Sequence, residues 1–121
     1  MSTLKVTNIQ ATGETVSRAV SGVAAAWVQF DQSSTLVVNN SLNISSSVDI
    51  AGGKSSHNLT NSYDGLFYTT SAMGANNRTD SGYYEAEAYT KDAGTFFVYG
   101  HWQTTAYDLL SVSATTHGDL A

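Results

Sequence analysis

The chain has 121 residues, no cysteine, no proline and a formal net charge of −5. Without cysteine it can form neither disulfides nor thiolate metal sites, and without a run of about eighteen apolar residues we expect no membrane insertion. The few basic residues are scattered along the sequence, so we expect no surface for nucleic acid.

Composition favours strands over helices. Serine, threonine and asparagine account for 39 residues, and their side chains compete with helical hydrogen bonds. Threonine, valine and the aromatic residues favour a pleated surface. The length suits one domain, or one domain with an arm. We therefore predict an all-β protein with a single head domain.

Residues 1–22 are predicted to form an N-terminal arm that precedes a head domain at residues 23–121. The segment "TLKVTNIQ" is strand-like, and it runs into small and polar residues with no obvious strand partner nearby. The spacing of valine and alanine over residues 16–23 is a weak signal for a short helical turn.

Strands dominate residues 23 to about 73. In "AAAWVQF", alternation places Val28 and Phe30 on one face and Trp27 on the other. Because tryptophan carries a large apolar surface, we nevertheless expect Trp27 in the core. "AGGK" is predicted to be a turn, and "HNLT" and "GLFYTTSAM" are further strand candidates.

The stretch "SLNISSSVDI" alternates more regularly than any other. It is predicted to be one half-buried strand with an interruption at residues 45–47. The apolar residues of a single parity define its expected buried face: Leu42, Ile44, Val48 and Ile50.

Residues 74–121 begin with "GANNRTDSG", a loop rich in turn formers. "YYEAEAY" is predicted to be a strand with Tyr84, Ala86 and Ala88 opposite the glutamates, and "KDAG" is a turn into the next strand, "TFFVYGHW". "AYDLLSVSA" closes the sheet. About eight short strands at this spacing indicate a β-sandwich or jelly-roll-like domain.

Several of these pieces, in this order, resemble a recurring module of phage tail fibres and related virion appendages. The "AWVQF" strand, the Gly-rich turn and the "SLNISS" stretch are its most recognisable parts. "LLSVSATTHGDLA" resembles the closing strand of the module, and "STLKVTNIQ" resembles an N-terminal arm found in such proteins. Within the head, the pieces correspond to residues 26–30, 35–38, 41–46, 52–53 and 57–60.

The resemblance implies a non-enzymatic, homotrimeric virion protein without a cofactor. We interpret the chain as a small fibre or knob, on tail or head, with a face that contacts a host-surface glycan or protein. Its other partners would be copies of itself and further virion proteins. Two alternatives remain: a capsid decoration protein that stabilises the shell, and a polysaccharide depolymerase, for which the chain is short.

For the arm, the resemblance suggests docking. An unpaired edge strand is a liability, and strand addition to a neighbouring subunit or to the virion shell would supply its backbone hydrogen bonds. The alternative is that the arm folds back onto its own sheet. The predicted docking residues are Leu4, Val6 and Ile9.

A ligand surface is predicted around the "GANNRTDSG" loop. Aromatic rings beside amide and carboxylate groups suit a sugar or a protein partner, although packing in the core or the trimer contact is the competing explanation for the rings. The candidate residues are Asn76, Asn77, Arg78, Asp80, Tyr83, Tyr84 and Trp102.

Catalytic and metal chemistry find weaker support. Glu85 and Glu87 share a strand face, and their spacing of roughly 6.6 Å falls within the inverting-glycosidase range. Any E-x-E strand gives that spacing, so we favour a solvated face or an ion pair with a residue such as Arg78 or Lys91. The three histidines show no ligand spacing, and no metal site is predicted.

Overall fold

The structure is a computed structural model that describes residues 8–9, 12, 18–19, 24–76 and 84–121. These residues form strands, turns and loops and contain no helix, so the all-β prediction is confirmed. None of their segments is a helix long and apolar enough to cross a membrane. The strands are β1 Asn8–Ile9, β2 Arg18–Ala19, β3 Ala24–Asp31, β4 Val37–Leu42, β5 Ile44–Ala51, β6 Lys54–Leu59, β7 Thr69–Ala75, β8 Tyr84–Asp92, β9 Thr95–Trp102, β10 Thr105–Ala106 and β11 Ser111–His117.

Two antiparallel sheets pack face to face as a sandwich. One has four strands in the order β4-β3-β11-β7. The other has five strands: β9 pairs with β8 along one side and with β6 and the short β10 along the other, and β5 follows β6. The sandwich predicted from strand spacing is thus present.

The core lies between the sheets and follows the two-residue period of the strands. In β3, Ala26, Val28 and Phe30 are fully buried, so the face that alternation assigned to Val28 and Phe30 is the inner one. The expectation that Trp27 lies in the core is wrong. It has the opposite parity, so it lies half-buried on the outer face, where its cross-strand neighbours are Leu42 and Thr115.

The stretch predicted as one half-buried strand is two strands in different sheets. The chain turns at Asn43, which has a positive φ of 58°, rather than at residues 45–47. A register shift between Ile44 and Ser46 then reverses the parity of β5. Val48 and Ile50 therefore face solvent, with 52% and 47% of their surface exposed, and their predicted burial is wrong.

The Asn43 side chain holds this corner. Its amide nitrogen donates hydrogen bonds to the carbonyls of Ala25 (3.2 Å) and Asn61 (3.0 Å). Its carbonyl oxygen accepts from the main-chain N–H of Asn61 at 2.8 Å and from the Asn61 side-chain amide at 3.1 Å. Because asparagine tolerates positive φ better than most residues, local conformation and long-range bonding agree here.

Both predicted turns are confirmed. Gly53, with φ of 72°, lies in the turn between β5 and β6, and the main-chain N–H of Gly94 donates to Asp92 in the turn between β8 and β9. The predicted strand "GLFYTTSAM" starts late. Its first residues belong to a loop, because the chain takes positive φ at Gly65 and the strand begins only at Thr69.

Two buried tyrosines anchor that loop. Tyr63 and Tyr68 stack with ring centroids 4.1 Å apart. The Tyr63 hydroxyl bonds Thr116 at 2.5 Å, and the Tyr68 hydroxyl donates to two main-chain carbonyls at 2.8 and 2.9 Å. Between them, Leu66 and Phe67 project outward, and the Phe67 side chain is fully exposed. The loop thus presents an apolar tip on a fixed base.

In the arm, β1 pairs with β2 in a two-residue antiparallel ladder that is separate from both sheets. Ile9 lies opposite Arg18, so this part of the arm has a strand partner in the nearby sequence after all. Arg18 and Ala19 are extended, so the helical turn suggested around them is wrong. Leu4 and Val6 lie outside the described residues.

Candidate functional site

An open groove runs along the side of the sandwich where β7 and β8 face each other. These strands belong to different sheets, and no backbone ladder joins them in the described chain. The groove has a volume of about 570 Å³. Its apolar wall comes from β7 and the inner face of β8, and its polar wall from charged and amide side chains. The lining residues are Ala72, Met73, Gly74, Tyr84, Glu85, Ala86, Glu87, His101, Gln103 and Thr104.

An aromatic cluster of Tyr84, Trp102 and Tyr107 adjoins this groove, whose lining includes Tyr84. Tyr84 and Trp102 are cross-strand neighbours on β8 and β9. The ring of Tyr107 reaches both, with centroids 5.9 Å from Tyr84 and 6.3 Å from Trp102. Trp102 keeps 45% of its surface exposed and Tyr107 37%. The cluster therefore presents ring surface to solvent beside the groove.

The structure brings together three of the predicted ligand residues. The side-chain amide of Asn76 donates to the Tyr84 hydroxyl at 3.3 Å, which places Asn76 against the aromatic cluster. The sequence analysis did not identify Tyr107, the ring that links Tyr84 to Trp102. The remaining predicted ligand residues lie outside the described chain: Asn77, Arg78, Asp80 and Tyr83.

On the polar side of the groove, Glu87 pairs with His101. The distance from His101 Nε2 to Glu87 Oε1 is 3.2 Å, and the imidazole also stacks on Tyr99. The sequence analysis had suggested a partner such as Arg78 or Lys91. Glu85 lies directly opposite His101 on the neighbouring strand and is exposed. These groups offer hydrogen-bond donors and acceptors to a polar ligand.

His57 is the histidine with serine partners, but it is sealed inside the core. Its Nδ1 bonds the hydroxyl of Ser47 at 2.8 Å, and its Nε2 bonds that of Ser55 at 2.9 Å. The ring lies between Phe30 and Phe96 with none of its surface exposed. Burial lowers the pKa of His57 from 6.5 to about 4. This arrangement satisfies a buried side chain and is closed to substrate.

Metal-binding residues do not converge in the described part of the chain. Over residues 24–76 and 84–121, no three histidine or acidic side chains lie close enough to hold an ion together. The histidine on the groove, His101, is committed to Glu87 and Tyr99. The groove and the aromatic cluster are therefore the candidate functional site.

Comparisons with protein-family models, with curated proteins and with solved structures gave no match.

Proposed function

We propose that the chain is a non-enzymatic structural protein of a phage virion, a small trimeric fibre or knob whose groove binds a ligand on the host surface. The order of the strand and turn motifs supports the virion assignment. The β-sandwich supports it too, since this fold presents rigid edges and loops for contact.

The observation that carries the proposal is the groove with its aromatic cluster. Exposed rings at Trp102 and Tyr107 can pack against the apolar face of a sugar. The groups of Glu87, His101 and Gln103 on the adjoining wall can bond its hydroxyls. An apolar pocket with a few convergent polar groups is the usual form of a small-ligand site.

Trimerisation would give such a site its strength. A shallow groove binds a single saccharide weakly, but three linked grooves and many copies per particle raise the overall avidity by orders of magnitude. The outer face of the four-stranded sheet supports self-association, because Trp27, Leu42 and Met73 lie on it among uncharged serine and threonine side chains. Leu42 is 50% exposed and Met73 80%.

The arm belongs to the same proposal. We expect Leu4, Val6 and Ile9 to dock on a neighbouring subunit or on another virion protein. Deleting residues 1–22 should then abolish trimer formation or incorporation into the particle. An unchanged trimer that still joins the particle would remove the docking role of the arm.

The decisive experiment combines a binding screen with a mass measurement. The purified chain is screened against host-surface saccharides, and a Trp102→Ala and a Tyr107→Ala variant are compared with Leu110→Ala, a change at an exposed residue outside the groove. We expect loss of binding only in the first two. Turnover of the saccharide, or equal binding by all variants, would contradict the proposed binding function. A monomeric mass at micromolar concentration would contradict the proposed trimer.

One observation favours the second candidate, a capsid decoration protein. The apolar tip at Leu66 and Phe67 is held out by its tyrosine base, and a shell subunit with an apolar pocket would suit it. A Phe67→Ser variant should then lower the heat stability of the particle without changing adsorption to the host. Unchanged heat stability combined with reduced adsorption would instead favour the attachment role.

A further inference from the structure

A second aromatic surface lies on the outer face of the five-stranded sheet. Tyr89 stacks on Tyr99 with ring centroids 5.2 Å apart, and its edge meets Phe97 at the same distance. The hydroxyl of Tyr89 donates to that of Tyr99 at 2.7 Å. Cross-strand pairing places these residues in register on β8 and β9. Together, Tyr89, Phe97 and Tyr99 form what we term the aromatic face.

Two lysines converge on this face. The ammonium of Lys54 lies 4.5 Å from the ring centroid of Phe97 and 4.8 Å from that of Tyr99. Lys91 approaches the same Phe97 ring, at 5.4 Å. The chain has only five lysine and arginine residues against ten acidic ones. Two of the five thus gather over one ring in an otherwise acidic protein.

Neither ammonium has a carboxylate partner within 4 Å in the parts of the chain that the structure describes. The neighbours of Lys54 are instead tyrosines, and its hydrogen bond with the Tyr99 hydroxyl raises the pKa of Lys54. Both ammonium groups are therefore available to an anion. Cation–π contacts hold them over the rings, which reduces the rotamer entropy that ligand binding would otherwise cost.

Acidic side chains limit what kind of anion fits. Glu85 and Glu87 continue the same outer face toward the groove, opposite His101 and Tyr99. The face is positive near Lys54 and Lys91 and negative at its other end. A ligand with charge along its whole length would be repelled at the second end. A ligand with one carboxylate beside an apolar ring face suits this surface, because its charged group can lie at the positive end and its uncharged part toward the negative end.

We propose that the aromatic face binds a saccharide that carries a single carboxylate. The carboxylate lies between the ammonium groups of Lys54 and Lys91, and the sugar ring packs against Tyr89 and Tyr99. A nucleic acid is a poor match, because its binding requires several cations along a track and this surface has two. This inference rests on the proposed function in one respect, that the ligand is a saccharide. It assigns that ligand to the aromatic face, which is a different surface from the groove.

The test uses a matched pair of ligands. Sialyllactose and a methyl glucuronide each carry a single carboxylate, and lactose is the neutral control. A short oligothymidylate tests for nucleic acid. Each is titrated into the isotope-labelled protein at low and at high salt. We expect both acidic sugars to shift the amide signals of Ser56, Phe97 and Tyr99, with weaker binding at high salt because exposed charges are screened. Lactose should bind this face more weakly.

Variants then test the two cations. Lys54→Met and Lys91→Met keep the apolar stem, and each should weaken binding of the acidic sugars by roughly two- to fivefold, the effect of one exposed charge interaction. Gln29→Glu makes the same change in net charge on the exposed face of the other sheet and should leave the affinity unchanged. The urea midpoint of each variant establishes that it is folded.

Three results would overturn the inference: no shift at the aromatic face with either acidic sugar, equal binding of lactose there, or tighter binding of oligothymidylate. The signals of Tyr84 and the Trp102 indole report the groove separately. Shifts confined to the groove would refute this inference and leave the proposed function standing. Shifts confined to the aromatic face would refute the groove as the host-ligand site and leave this inference standing.

Discussion

Lowering the pH below neutral is expected to destabilise the sandwich through His57. Both ring nitrogens bond serine hydroxyls, and the ring lies between two phenylalanines with none of its surface exposed. No carboxylate supports a positive charge there among the hydrogen bonds of the described residues. Burial therefore lowers the pKa of His57 from 6.5 to about 4 because a charged imidazole would lose its hydration.

The sign and size of the effect follow from proton linkage. Above pH 6.5 the ring is neutral in the folded and the unfolded chain. Between pH 6.5 and about 4, the unfolded chain binds a proton that the folded chain does not, so the free energy of unfolding falls as the pH falls. At about 1.4 kcal/mol per pH unit, the total loss is about 3 kcal/mol. That is a large share of the roughly 5–15 kcal/mol that stabilises a typical domain.

Urea denaturation at a series of pH values, followed by tryptophan fluorescence, measures this loss. The difference between the parent and a His57→Gln variant isolates the contribution of His57, and we expect the variant to have the flatter curve. Gln29→Met changes an exposed residue without a titratable group and should keep the slope of the parent.

Parallel curves for the parent and His57→Gln would refute the reasoning. Because that variant also loses ring packing, a second measurement uses the parent alone. The ring signals of His57 in a proton NMR titration should stay those of the neutral form down to about pH 4. A midpoint near 6.5 would equally refute it.

Three further predictions concern polar groups in or beside the core. Gln32 is 1% exposed, and neither polar atom of its amide has a hydrogen-bond partner among the described residues. Gln32→Met should therefore raise the free energy of unfolding by about 1–3 kcal/mol. The control Gln29→Met, on the surface, should change it by less than about 0.5 kcal/mol. A lower urea midpoint for Gln32→Met would contradict this. Asn43→Ala loses four side-chain hydrogen bonds at a positive φ and should lower the free energy of unfolding by about 2–4 kcal/mol. Asn43→Gly should lower it by less, because glycine adopts that φ freely. Equal losses of stability in the two variants would show that φ is unimportant. Burial raises the pKa of Tyr68 to about 12, so stability should fall as the pH rises from 10 to about 12. Tyr68→Phe should reduce that fall, leaving the share of Tyr63, whose pKa burial also raises, while costing about 1–2 kcal/mol at neutral pH. An unchanged alkaline limb, read by urea denaturation, would count against it.

Where strands are regular, the sequence was sufficient to predict which residues share a face. Alternation put Val28 with Phe30 and set Tyr84 and Ala86 opposite the glutamates, because a strand has only two faces; it did not say which face is buried. It failed at Asn43 and at the register shift that follows. The corner is held by hydrogen bonds to Asn61, eighteen residues away. The alternation of apolar and polar residues carries no information about such long-range bonds.

Trp27 shows a different kind of failure. Its parity already set it opposite Phe30, but its size suggested the core. A large side chain on the outer face of a sheet is explained by its cross-strand neighbours Leu42 and Thr115, and those neighbours follow from a strand order that the sequence does not reveal.

The candidate site was predictable only in part. Tyr84, Trp102 and Asn76 stood out as aromatic and amide groups near a loop. Tyr107 did not, because the turn that brings it back beside Trp102 contains Gln103, which has positive φ but is not a residue typical of such turns. The approach of Lys54 to Phe97 depends on the pairing of β6 with β9, strands far apart in sequence.

The two long sides of the sandwich are joined differently. On one side, a single residue, Asn43, separates β4 from β5 and links the two sheets directly. On the groove side, β7 and β8 meet without a ladder. Spreading the sheets there would break side-chain contacts but no interstrand backbone hydrogen bonds among the described residues. Cohesion of the two sheets along the groove therefore depends on how the side chains of β7 and β8 pack, so a substitution there tests sheet-to-sheet packing without disturbing a backbone ladder.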